Sequence, residues 1–202
     1  MQRPPIAVRV ATRADAYIAV ETLARAFIAD DVMAYIFPDE ASRPRKLRQF
    51  FALIVRAEPD LGDTRIAGDD TAVTVWRPPN AWRTPTSAMV RLAVPMLRTF
   101  GLALPRVLRL QSLLECHHPA PPHWYLEFAG CDPARQGKGF GGAAIRAKLA
   151  DCDAASLPAA LETANPVNLP IYKALGFAIT GTFDVSPSLR FWSMWREPAP
   201  SR

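Results

Sequence analysis

The chain is short of cysteine, histidine, lysine and, over one long stretch, acid, and each shortage excludes something. Among its 202 residues are 3 cysteines, Cys116, Cys131 and Cys152, with no CxxC pair. An odd, widely spaced set argues against a disulfide framework or a Cys-rich zinc site. A reduced, cytoplasmic location is therefore the expectation. No charge-free run approaches the roughly 18 residues that a membrane helix requires. The first residues, Met-Gln-Arg-Pro-Pro, open no apolar stretch of the kind that directs secretion. The 3 histidines are His117, His118 and His123, close to Cys116. Adjacent Cys-His-His followed by prolines brings no second cysteine at zinc-ligand spacing, so no metal is expected.

Between Asp70 and Glu115 there is no acid at all, yet Arg77, Arg83, Arg91, Arg98, Arg106 and Arg109 lie there. One reading is a solvated helical face with snorkelling stems. Another is a positive wall near an anionic ligand. Nucleic acid is disfavoured, because no Lys/Arg run with interleaved aromatics occurs. The net charge is only +5, and arginine outnumbers lysine 20 to 4.

What is present is the composition of a globular chain: half the residues are apolar and 21% are charged. The length suits one domain, 1–202. Ile6–Val10 reads as a strand, and Thr12-Arg-Ala-Asp15 as a capping box opening a helix. Ile18, Thr22, Leu23, Ala26 and Phe27 share one face of that helix. Residues 30–39 suggest a loop or broken helix rich in aromatics, and 44–56 a second helix. Arg65–Gly68 and Thr71–Trp76 form a hairpin turning at Gly68-Asp-Asp. Residues 84–115 are helical in pattern with interruptions at Pro95, Gly101 and Pro105, and 116–122 is a proline-rich link. Together, 84–122 form a helical insertion. Strands are expected over 123–131, 159–163, 177–183 and 191–195, with helices at 139–151 and before Gly176. This order implies an α/β (α+β) chain with a single mixed sheet of about six to seven strands flanked by helices.

Four of the 10 glycines fall in Arg135-Gln-Gly-Lys-Gly-Phe-Gly-Gly142, between a strand and a helix. Glycine permits unusual dihedrals and close backbone approach. Successive N–H groups and the positive end of the next helix make a site for phosphate or diphosphate. A P-loop is excluded, since no Lys-Ser or Lys-Thr follows. The dinucleotide pattern GxGxxG matches at Gly137, Gly139 and Gly142, with Glu162 twenty residues on. However, Asp132–Gln136 separate it from the strand, and only sixty residues remain to complete a doubly wound sheet. A third pattern, Q/R-x-x-G-x-G/A, is met by Gln136, Gly139 and Gly141.

On that third pattern the chain resembles the GNAT superfamily of N-acetyltransferases. His123-Trp-Tyr-Leu-Glu-Phe-Ala-Gly-Cys-Asp-Pro133 is similar to the strand that precedes the family's loop. Asn168, Tyr172, Gly176 and Phe177 resemble its second motif, N-x-x-x-Y-x-x-x-G-F. Within the superfamily, Ala11–Asp15, Thr22–Phe27 and Trp192-Ser-Met194 are similar to the puromycin N-acetyltransferase branch.

The resemblance implies a GNAT fold in which splayed parallel strands form the cleft for acetyl-CoA, with no metal. It implies main-chain contacts to pantetheine from Ala129, Gly130 and Cys131. The diphosphate would rest on the amides of Gly137, Lys138, Gly139, Phe140, Gly141 and Gly142, with Arg135, Gln136 and Lys138 around them. Asn168 and Tyr172 would sit near pantetheine and the thioester sulfur. The chemistry then asks for N–H donors at the developing oxyanion, for which a strand bulge at Gly130 and Cys131 is expected. It asks for a proton donor to the thiolate, for which Tyr172 is the candidate, and for a base. Glu127, on the same strand face as Tyr125, is the first candidate for the base and Glu162 the runner-up. Phe27, Tyr35 and Tyr125 are expected around the acceptor, a small-molecule amine, for which the resemblance suggests an antibiotic-like compound. Neither nucleic acid nor membrane is an expected partner, and the chain would be a monomer or homodimer. The alternatives are acetylation of a protein or peptide amine, and a non-catalytic acyl-CoA sensor.

Overall fold

Gly68, Asp69 and Asp70 all carry positive φ (54°, 43° and 66°), a conformation that glycine and, among other residues, Asp and Asn adopt most readily. They turn β2 (Asp63–Ala67) into β3 (Ala72–Arg77), the hairpin expected from the sequence. The structure, a computed structural model, describes residues 5–57, 63–81 and 86–200. Around the hairpin grows a seven-stranded open sheet in the order β1-β2-β3-β4-β5-β7-β6. Its other strands are β1 (Val8–Val10), β4 (Trp124–Cys131), β5 (Ala159–Thr163), β6 (Ala178–Ser186) and β7 (Leu189–Arg196). Only β4 and β5 pair in parallel; the other neighbours are antiparallel.

Helices cover both faces. On one lie α1 (Ala16–Ala26), α2 (Asp31–Ile36), α3 (Arg43–Ala57), α4 (Thr86–Phe100) and α5 (Leu104–His117). Their core includes Leu23, Met33, Leu47, Phe51, Val73 and Val75. On the other lie α6 (Phe140–Ala154) and α7 (Leu169–Ala174), packed on Trp76, Leu126, Leu161 and Met194. The start of α1 follows from local chemistry. The Thr12 amide donates to the Asp15 carboxylate at 2.7 Å, and Arg9 holds that carboxylate from the far side at 2.7 Å. These contacts pull the Asp15 carboxyl far below its ordinary range.

Three expectations change. Residues 31–36 form a helix, because the Asp30 carboxylate accepts from the Met33 amide at 3.0 Å and caps it. Pro95 lies inside α4 and does not end it; its ring is exposed. The link expected from Cys116 begins later, since α5 runs to His117. The acid-free stretch divides. Arg98, Arg106 and Arg109 are exposed, as a solvated helical face requires, whereas Arg77 is buried. Arg83 lies outside the described residues.

Candidate active site

β4 and β5 pair only at Trp124–Leu126 with Ala159–Leu161, after which the strands part. From Glu127 onward, the β5-facing edge of β4 therefore carries backbone groups with no ladder partner on β5. The bulge in β4 is not at Gly130 and Cys131, which pair regularly with Val73 and Ala72. It falls at Glu127, where the register steps from Trp76↔Leu126 to Val75↔Phe128. The extra residue turns Glu127 and Phe128 to one face. Phe128 joins the core under α1 and α3, while Leu126 and Ala129 face α6 and α7. Gly130 is small for a packing reason: a Cβ there would sit 2.9 Å from Ala26 Cβ and Leu23 Cδ2. Its absence lets α1 lie close on the strand.

At the end of β4, the Asp132 carboxylate accepts from the Ala134 amide at 3.0 Å, and Gln136 Nε2 donates to the Cys131 carbonyl at 3.3 Å. Gly137 and Gly139 then take φ of 74° and 90°, and α6 starts with the Ala143 amide donating to the Gly139 carbonyl at 2.9 Å. The amides of Phe140, Gly141 and Gly142 are thus first-turn donors with no intrahelical acceptor. A Cβ at Gly137 or Gly141 would meet nothing within 4 Å, so the loop leaves open space. Arg146, one turn beyond Gly142 in α6, folds its guanidinium back toward Gly142. Such a cradle fits a diphosphate.

The cradle belongs to a cavity of about 1070 Å³ that continues through the parted strands to the helical side. Ala129, Gly130, Cys131, Gln136, Gly137, Gly139, Phe140, Gly141, Gly142, Asn168 and Tyr172 line it, as do Phe27, Tyr125 and Glu127. Three sequence candidates do not. Arg135 and Lys138 are exposed on the loop's outer side, Lys138 Nζ lying 3.5 Å from the Ala134 carbonyl. Tyr35 is packed against the core, and α2 presents Val32, Met33 and Ile36 to the cavity instead.

The two glutamates differ sharply. Arg77 Nε donates to Glu127 Oε2 at 2.6 Å, so Glu127 is half of an ion pair. Both oxygens of Glu162 are buried with no hydrogen-bond partner among the described residues. Burial pushes the Glu162 carboxyl up to about 7, and the adjacent Tyr125 side chain pulls the other way. His118 Nδ1 stands 4.0 Å from Glu162 Oε1, and its ring stacks edge-on with Tyr125 at 4.9 Å. Burial, reinforced by Asp30 across the cleft, pushes the Tyr172 hydroxyl up to about 12. Burial also raises the Cys131 thiol, with Asp132 adding to it, the opposite of what a nucleophilic cysteine needs. Among the described residues no group of three or more His, Cys, Asp and Glu could hold a metal. No helix among them is long and apolar enough to cross a membrane.

Sequence reasoning did not single out Arg146 or the contact of His118 with Glu162. Arg146 had a signal, since it lies seven residues after Gly139 on the helix the loop opens. The His118 contact had none, because it joins α5 to β5 through space.

No family model matches the chain. Among solved structures it is similar to a histone acetyltransferase HPA2 and related acetyltransferase from Corynebacterium glutamicum ATCC 13032. The two share 27% identity over 98% of this chain and 99% of that one, with a TM-score of 0.71. It is also similar to a polyamine N-acetyltransferase of Drosophila melanogaster that forms N-acetylagmatine, at 14% identity, 94% and 98% coverage and a TM-score of 0.60. A mosquito arylalkylamine N-acetyltransferase like 5b aligns at 12% identity, 95% and 99% coverage and 0.56. The fold is that of the GNAT acetyltransferases, and the 27% likeness to the Corynebacterium glutamicum protein supports an enzyme, an acetyltransferase.

Proposed function

We propose that the protein transfers acetyl from acetyl-CoA to a primary amine of a small molecule by direct attack. The observation that carries this reading is one continuous cavity with a diphosphate cradle at one end and the buried Glu162 carboxylate, facing His118, beyond the strand gap. The amides at Gly137–Gly142 hold the diphosphate, with Arg146 adding charge in the place expected of Arg135 or Lys138. The free edge of β4 takes the pantetheine arm, through Ala129, Gly130 and Cys131, and its N–H groups stabilise the developing oxyanion. Asn168 sits beside that arm.

Glu162, rather than Glu127, is the base in this reading. A carboxyl poised near 7 is matched to removing a proton at neutral pH, whereas Glu127 is already neutralised by Arg77. Tyr172 keeps its proton throughout the physiological range and delivers it to the leaving thiolate. Both reactants held in one cavity supply the proximity that direct transfer needs. The narrower resemblance to puromycin N-acetyltransferases makes an antibiotic-like amine a reasonable first acceptor to try. A non-catalytic acyl-CoA sensor would have no use for a buried carboxyl held near 7 at the cosubstrate's reactive end.

The test is an amine panel with acetyl-CoA, following thiol release and product mass. Amine-dependent thiol release with a product heavier by one acetyl group is expected. Binding of coenzyme without release for any amine would favour the sensor.

A further inference from the structure

The cavity uses only part of the acid-free arginine stretch, and the exposed remainder gathers at one corner of the molecule. There α4 gives way to α5 through the turn Gly101–Ala103, set by Gly101 at φ 48°. Met96 and Phe100 before the turn, and Val107 and Leu110 after it, face inward onto the cavity. The outer side is not wholly polar. Leu102, in the turn, is 101% exposed, as open as in a free peptide, and Val94 and Leu97 of α4 are each 59% exposed. Leu108 of α5 is exposed as well. Single exposed leucines are ordinary, but several together around one protruding turn mark a contact surface.

Cations accompany these side chains. Arg98, Arg106 and Arg109 are exposed, and no acid occurs between Asp70 and Glu115. A shallow depression of about 340 Å³ beside Leu102 is lined by Lys46, Arg98 and Arg106, against one acid, Asp39. That carboxylate already accepts from the Ser42 amide at 3.2 Å and feels the charge of Lys46. Arg106 reaches a neutral group, the Tyr35 carbonyl at 3.5 Å, so its charge stays uncompensated.

The mixture of groups selects the partner. A second copy docked through the same patch would bring arginine against arginine. A nucleic-acid backbone would use the arginines but gain nothing from four apolar side chains. An anionic bilayer uses both, since leucines enter the headgroup region while arginines meet the lipid phosphates around them. We infer that the α4–α5 corner docks on a membrane surface carrying anionic lipids, with Leu102 as the inserted wedge. The sequence pattern did not predict this partner, because the outward leucines of these helices cannot be told there from the inward ones. The inference does not depend on acetyl transfer.

Co-sedimentation of the full chain with vesicles tests it, at physiological ionic strength. The vesicles are phosphatidylcholine alone or an equimolar mixture of phosphatidylcholine and phosphatidylglycerol. Binding to the mixed vesicles only is expected. Leu102→Ser keeps the net charge and removes no packing contact; it should lower the partition coefficient about tenfold, the order that burial of one leucine supplies. Arg106→Gln should lower it about fivefold. Lys173→Gln, an equal loss of charge on α7, should change it by about twofold at most, because a distant charge is screened. Melting temperatures equal to the parent's show that the variants fold. No binding to the mixed vesicles, equal binding to both kinds, full binding by Leu102→Ser, or equal losses in Arg106→Gln and Lys173→Gln would each overturn the proposal. So would a dimer in lipid-free solution that Leu102→Ser dissociates, which gives the corner to a second copy. Binding of duplex DNA at the same salt that Arg106→Gln weakens and Leu102→Ser does not would give the arginines to nucleic acid, and overturn it too.

Discussion

At the scale of single residues, the proposed base, Glu162, would set function against stability. Its carboxyl titrates near 7 in the folded chain against an ordinary value of 4.5. Between those values the folded state holds a proton that the unfolded state has released, so stability falls as pH rises through this window. The ceiling of the penalty above pH 7 is about 3 kcal/mol, from 1.36 kcal/mol per pKa unit. Glu162→Gln removes the buried charge. Urea unfolding at pH 8 should find the variant more stable by about 1–3 kcal/mol, with the gain vanishing at pH 4. Turnover should fall by about 10²–10⁴, and the ascending limb near pH 7 in kcat/KM should disappear. A variant that keeps that limb would remove Glu162 from proton transfer. Tyr172→Phe is expected to lower kcat by about 10² or more with little change in coenzyme affinity. Full activity in that variant would assign the proton to another donor.

At the scale of elements, the strand–loop–helix unit from β4 to α6 is where local sequence decides the most. Gly139 holds φ at 90° and Gly137 at 74°, and an alanine at such angles costs about 1–2 kcal/mol. Gly139→Ala should therefore weaken coenzyme binding roughly tenfold in a titration, because strain at the cap moves the first-turn amides; an estimate of this size follows from 1.4 kcal/mol per decade. Gly101→Ala, at φ 48° between α4 and α5, imposes comparable strain far from the cradle. It should lower the melting temperature but leave coenzyme affinity unchanged. Equal affinities for the two variants would mean that the loop does not bind the diphosphate. This unit was legible in the sequence because its signal is local: glycine spacing and a flanking strand, with Asn168 and Tyr172 four apart at the start of α7 as a second local mark. The bulge was not. In Trp124-Tyr-Leu-Glu-Phe-Ala-Gly-Cys131 both faces of the strand are largely apolar, so the period of two carries no mark of the extra residue at Glu127. The ion pair of Arg77 with Glu127 spans 50 residues and the approach of His118 to Glu162 spans helix and strand. Such through-space contacts have no period to read. For that reason the sequence ranked Glu127 ahead of Glu162, the reverse of the assignment proposed from the geometry.

At the scale of the whole molecule, the parted strands connect the two sides of one sheet. The cradle and Tyr172 belong to the side of α6 and α7, and the apolar chamber to the side of α2–α5, so in the proposed reaction coenzyme and amine would approach Glu162 from separate layers. Coenzyme seated along the β4 edge would replace the missing ladder partners beyond Leu126 and tie that edge to α6. A ligand that binds only the folded state stabilises it by about 2.7 kcal/mol at a hundred times its Kd. For a chain of this size that corresponds to about 5–10 °C in melting temperature. Thermal unfolding with CoA should show such a rise, and NAD should not reproduce it, since the loop is separated from its strand by Asp132–Gln136. The charge of the whole chain gives a second arm. A net charge of +5 attracts any polyanion at low salt, but that attraction is screened near physiological ionic strength, where the Debye length is about 8 Å. The CoA shift should therefore survive at 150 mM salt, while any shift caused by duplex DNA at low salt should be lost. A CoA effect that faded with salt as the DNA effect does would mean that the coenzyme is held by surface arginines such as Arg98, Arg106 and Arg109, and the cradle would then have no ligand.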